Sequence, residues 1–169
     1  AKARLRNQAK VVRISDRSDV AMVKVDLPAA VRPVEILDNY ESVKAGDGAI
    51  VMGYPGVSPA AVAVTQSQDM FNSEAQAKVI PDPTVSTGNV GLVHRGQPGA
   101  GTEGLFSMVG DLYQLTINST GAGNSGGPVF DEQGRVVAIF NAGASQGGAS
   151  ISFAVPIRYG LELMGGAGK

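Results

Sequence analysis

The sequence predicts an all-β fold, and three observations carry that expectation. Twenty-three glycines and nine prolines divide the 169 residues into short pieces, a punctuation that favours strands and turns over long helices. The apolar stretches between them are short and rich in Val, Ile and Phe, which is strand composition. No apolar run approaches the ~20 residues that a membrane-spanning helix needs.

Residues 3–14 and 20–27 read as two strands around the polar turn Ser15-Asp16-Arg17-Ser18-Asp19, whose residues favour turns because their side chains bond to nearby backbone. Seven of the fourteen Lys and Arg crowd into the first 24 residues, interleaved with Leu5, Val11, Val12, Ile14 and Val20. That interleaving is the pattern of solvated strand faces. Val34–Leu37 is a further short apolar piece, and Gly46-Asp47-Gly48 leads into a strand over 49–54 that stops at Pro55-Gly56.

Residues 57–83 lose this rhythm and read as a lobe connection bearing an extended loop or hairpin. From Thr84 the rhythm returns, with strands over 85–93, 112–117, 129–130, 135–140 and 151–155. The turn Asp131-Glu132-Gln133-Gly134 makes a hairpin of two of them. Pro156, followed by Ile157, Leu161 and Met164 at helical spacing, predicts a short terminal helix.

Composition narrows the function. A net charge of −1 provides no field for nucleic acid or anionic membrane. Tyr40, Tyr54, Tyr113 and Tyr159 are too scattered for a base-stacking platform. The chain has no cysteine, so no disulfide framework or thiol nucleophile is on offer. Zinc spacing, a phosphate loop and a dinucleotide fingerprint are all missing from the sequence. We therefore expect no cofactor, no metal and no membrane span, and the charged start is not backed by the apolar segment of a signal peptide.

The stretch with chemical content is Gly123-Asn124-Ser125-Gly126-Gly127-Pro128. Gly123 is free to turn its N–H inward, so that with the N–H of Ser125 it offers two donors to a developing oxyanion, across the segment Gly123, Asn124, Ser125. Gly126 and Gly127 let the backbone turn away with no Cβ in the path. A serine hydroxyl held on such a turn is placed for acyl transfer, but it needs a base to take its proton.

The run GNSGGPVF followed by DEQGRVVAIF, then ISFAVP, with RSDVAMVKVD, KAGDGAIVMGYP and STGNVGLV before them, resembles the trypsin-like serine proteases, and among them the HtrA/Deg branch. That resemblance implies a double antiparallel β-barrel with the active site in the crevice between the lobes. It assigns residues 1–56 to the remainder of a partial first barrel, 57–83 to the connection, and 84–169 to a complete second barrel with the C-terminal helix. It implies that Ser125 is the nucleophile and Asp19 the triad aspartate, that the substrate is unfolded or exposed polypeptide, and that the setting is extracytoplasmic.

The family's histidine precedes its aspartate by a few tens of residues, whereas the eighteen residues before Asp19 hold none. His94, the sole histidine, falls where the resemblance places a strand end of the second barrel. The base is therefore expected to lie outside this chain, in a segment ahead of residue 1, leaving the chain inactive or nearly so. The alternative is a pseudoprotease that binds peptide or supports assembly. A first barrel with missing strands would expose sheet edges and apolar surface, which favours a homo-oligomer.

Ser119 and Thr120, about six residues before Ser125, fall at the floor of the substrate pocket by the same resemblance. Neither is acidic, so a Lys or Arg side chain would be buried unpaired, at a cost of several kcal/mol. Small or medium apolar side chains are the expected preference. Phe140, Asn141 and Ala142 are expected to form one wall and to pair with an extended peptide by strand addition.

Overall fold

The computed structural model describes residues 8–37, 39–56, 61–66, 75–80, 83–96, 110–118, 122–147 and 149–165. Ten strands alternate with turns: β1 (Ala9–Ile14), β2 (Ala21–Val25), β3 (Gly48–Gly53), β4 (Ala61–Gln66), β5 (Ala75–Ile80), β6 (Thr84–His94), β7 (Leu112–Leu115), β8 (Pro128–Phe130), β9 (Val136–Gln146) and β10 (Ala149–Pro156). A 3-10 turn spans Tyr40–Ser42, and the helix α1 spans Arg158–Gly165. The all-β class, a complete barrel beside a partial sheet, and one C-terminal helix are as expected.

Six strands close into a barrel in the order β10-β7-β6-β3-β8-β9. Alternation explains how β3 enters it: Ala49 and Val51 are buried while Met52 between Val51 and Gly53 faces solvent. Their partners inside are Val90, Tyr113, Leu115, Ile117, Val129 and Phe140, each large apolar side chain worth roughly 1.5–3 kcal/mol when fully buried. β3 lies ahead of the lobe boundary expected at residue 56. Its ladders run to β6 and β8, so the barrel begins with a strand upstream of that boundary.

The remaining strands form two separate two-stranded sheets, β1–β2 and β4–β5, both antiparallel. Val20, at the end of the turn between β1 and β2, is buried against Leu112, Val155 and Tyr159, which fastens that turn to the barrel. The expected strand over 3–14 starts at Ala9, and residues 1–7 lie outside the description. Val34–Leu37 makes a single parallel bridge, Ile36 to Val136, because only Glu35 and Leu37 exchange backbone bonds with β9.

Helix α1 docks by Tyr159 and Leu163, one turn apart. The Tyr159 ring packs beside Val20 while its hydroxyl accepts the Asp111 N–H at 2.7 Å. Met164 is left exposed. Arg13 of β1 donates to the Leu163 carbonyl at 2.7 Å, tying the hairpin to the last turn of α1.

A polar cluster joins these pieces at one end of the barrel. The buried carboxylate of Asp111 accepts the Gly96 N–H at 2.8 Å, pairs with Arg95 at 3.2 Å and Arg158 at 3.0 Å, and takes the Tyr40 hydroxyl as a further donor. Arg95 and Arg158 both lie over the Tyr40 ring, at 4.7 and 4.2 Å from its centroid, and Tyr40 stacks on Tyr113 at 6.2 Å. Burial pushes the Tyr113 phenol well above its ordinary range despite the two nearby guanidinium groups, which pull the other way.

Two outcomes follow for stability. Asp111→Ala strands the Gly96 N–H and leaves two guanidinium groups with no buried carboxylate, so urea unfolding should show a loss of about 3 kcal/mol. The Asp131 carboxyl is pushed up by burial but pulled down further by the N–H groups of Arg135 and Gln133 and by the Arg135 guanidinium, for a net lowering. A lowered folded-state value means stability that is present above the ordinary carboxylate range and lost as pH falls through the lowered value. Wild type should therefore exceed Asp131→Asn in stability at neutral pH, and the gap should close on acidification below about pH 4.

Candidate active site

The serine turn is built by its neighbours on both sides. Gly123 has φ of +113°, and its carbonyl accepts the Tyr54 N–H at 3.2 Å. A Cβ at Gly123 would collide with the Tyr54 carbonyl oxygen, so glycine is required there both by the dihedral and by the close approach. Asn124 is buried with its side chain against Gly53. Its carbonyl accepts the Gly127 N–H at 2.9 Å, which closes a tight turn with Ser125 exposed at its tip.

Phe140 fixes the far side of that turn. Its carbonyl accepts the Gly126 N–H and its own N–H reaches the Gly127 carbonyl, both at 2.8 Å. Among the described residues, the N–H groups of Gly123 and Ser125 have no acceptor.

Asp19 lies on the turn that Val20 anchors. The Ser15 N–H bonds to the Val20 carbonyl at 2.9 Å and the Val20 N–H to the Ser18 carbonyl at 2.8 Å, which holds Asp19 at the tip. Its carboxylate accepts a hydrogen bond from the Asn141 side-chain amide at 2.9 Å. Asn141 is the extra residue of a β-bulge, since Ala142 pairs with Phe153 and Phe140 with Ala154. Bulges re-aim side chains, and here the bulge turns one off the sheet toward Asp19. Serine turn and Asp19 are thus held by consecutive residues of β9.

The chain belongs to the trypsin-like peptidase family. The family's sequence model, described as a trypsin-like peptidase domain, matches residues 2–139. Within this family its similarity is to the HtrA branch. It is 30% identical over 149 residues to serine protease HTRA1A of Danio rerio, covering 88% of this chain and 24% of that protein. To the periplasmic endoprotease DegQ of Escherichia coli it is 26% identical over 151 residues, covering 88% and 26%. The solved HtrA-type protease AlgW with decapeptide superposes with a TM-score of 0.61 at 27% identity, over 93% of this chain and 39% of that one. The chain spans about a quarter of the length of these curated relatives.

Against this trypsin-like frame, His94 does not join the site. It stands exposed at the end of β6 opposite Leu112, with Nε2 at 3.3 Å from the Gln114 side-chain oxygen. Ser119 and Thr120 lie outside the described residues. The Phe140 side chain is 2% exposed in the barrel core, and its backbone groups are engaged by the serine turn. Asn141 and Ala142 are partly exposed. The Asn141 contact to Asp19 escaped the sequence, because a bulge leaves no local pattern beyond the break in alternation.

No group of three or more metal-ligating side chains occurs among the described residues. Gly123→Ala should destabilise the chain by about 1–3 kcal/mol in urea unfolding, through the collision with Tyr54 and the strained dihedral. Gly134→Ala is the control for dihedral strain alone: its φ is +80° but nothing lies within 4 Å of an added Cβ, so its loss should be the smaller.

Proposed function

We propose that this chain is the protease domain of an HtrA-like serine endopeptidase acting on unfolded or exposed polypeptide. One observation carries the reading: β9 holds the serine turn through Phe140 and Asp19 through the adjacent Asn141. In this reading Ser125 attacks the scissile carbonyl. The N–H groups of Gly123 and Ser125 hold the oxyanion, and Asp19 orients a histidine that shuttles the proton from Ser125 to the leaving amine. Since neither Ser119 nor Thr120 is acidic, the reading includes a preference for small or medium apolar side chains at the cleavage position.

His94 is within hydrogen-bond distance of Gln114, which supports a base other than His94. The 169 residues on their own should be inactive or nearly so. That same observation favours a second reading, a pseudoprotease that binds extended peptide at the site. The periplasmic names of the bacterial relatives support an extracytoplasmic setting. Among the described residues no helix is long and apolar enough to cross a membrane.

Expressing the protein from its full reading frame and adding a fluorophosphonate probe separates the two readings. The protease reading expects labelling that Ser125→Ala abolishes, and peptide cleavage that Asp19→Asn slows about 10⁴-fold. Absence of labelling on a folded protein that still binds apolar peptide selects the pseudoprotease. Cleavage fastest after Lys or Arg would overturn the pocket assignment.

A further inference from the structure

A cavity of about 380 Å³ opens at the end of the closed barrel away from the serine turn. β3 leads from Gly48 at the cavity to Tyr54 beside that turn, and β9 from Val137 to Phe140, so the two sites lie roughly 10–20 Å apart along the strands. The lining has two parts. Leu37, Val43, Val90 and Val137 belong to the barrel core and supply apolar surface, while Asp47, Asp131, Glu132 and Arg135 supply charge. Arg135 and Asp131 cancel one another in a 2.7 Å pair. Among the described residues Asp47 and Glu132 have no ion pair.

Both unpaired carboxylates are held in place by neighbours that leave their charge intact. The Glu132 side chain lies across Gly48, where an added Cβ would stand 2.6 Å from its Cγ and 2.8 Å from Oε1. Glycine at residue 48 keeps that path open. Asp47 accepts the Lys44 backbone N–H at 2.8 Å through Oδ2, a bond that orients the carboxylate without a counter-charge.

We propose that this cavity binds a guanidinium or ammonium group carried on a short apolar stem, the chemistry of an arginine or lysine side chain. An anion would meet three carboxylates and a single, already paired guanidinium. A neutral apolar ligand would strip water from Asp47 and Glu132 and give them no partner. A cation on a stem satisfies both parts of the lining: the stem lies on Leu37, Val43, Val90 and Val137, and the head stays at the rim, where the carboxylates accept charge-assisted bonds. The apolar lining separates this cavity from a patch of surface acid, which would hold only a hydrated ion. Its volume is near the lower end of the roughly 300–1,000 Å³ of small-molecule sites, which suits one side chain or a small amine.

Saturation-transfer NMR on the protein expressed from its full reading frame tests this with two probes, butylguanidinium and N-acetylarginine amide. Saturation should reach the stem methylenes of both, with dissociation constants of roughly 0.1–1 mM. The tighter of the two tells whether the site takes a free cation or one borne on a polypeptide. Butanol, a similar stem without the charge, should bind at least about tenfold more weakly. Glu132→Gln removes one carboxylate and should weaken both probes about tenfold. Gly48→Ala keeps every charge but displaces the Glu132 side chain, and should weaken them about fivefold. Asp26→Asn, an exposed acid outside the cavity, should change neither. No saturation of either probe, equal binding of butanol, or affinity indifferent to both Glu132→Gln and Gly48→Ala would overturn the proposal.

Discussion

Phe140 and Asn141 are the residues on which the site depends. Phe140 holds Gly126 and Gly127 through its two backbone groups while its ring is locked in the barrel core, so the serine turn inherits the rigidity of the best-packed part of the molecule. One residue further, the bulge releases Asn141 from the alternation and its amide reaches Asp19. A uniform ladder would have kept residue 141 in register with β10. The irregularity lets one strand serve both the barrel and the turn outside it.

The second constraint lies across the barrel, at Asp111. Its carboxylate collects the Gly96 N–H, Arg95, Arg158 and Tyr40, and so binds β6, β7, α1 and the 3-10 turn into one unit. The Asp111 N–H bonds to Tyr159, and Tyr159 packs on Val20, the residue that follows Asp19. Position of the Asp19 turn therefore rests on two contacts of different kinds, the apolar seat of Val20 and the amide of Asn141. Partly buried, multiply bonded charge is suited to this because it tolerates one arrangement and penalises others.

Much of this was legible in the sequence because the signals were local. Strand composition and turn residues located β2, β3 and β6 to within a residue or two, and the glycines of the serine turn announced its geometry. Ser125 stands exposed at the tip of the turn for the reason the glycines gave. The failures are of long-range origin. The helical period announced α1 but not its anchor, because the partner of the Tyr159 hydroxyl is at Asp111, 48 positions away. That the Phe140 ring points into the barrel core is a matter of packing that its place in the chain does not announce. Membership of β3 in the closed barrel depends on pairing with β6 and β8, which no single segment encodes.

The serine turn and the Asp19 turn stand on scaffolds of different kinds. The closed barrel satisfies its own strands, so the serine turn needs nothing beyond β3 and β9 to take its shape. The Asp19 turn is different, for it stands on a two-stranded sheet whose apolar face meets water. Ser125 on a closed barrel and Asp19 on a two-stranded sheet do not share one source of rigidity. What ties the Asp19 turn to the barrel is the apolar seat of Val20 and the amide of Asn141, whereas the Ser125 turn is bonded directly to β9 and to Tyr54 at the end of β3.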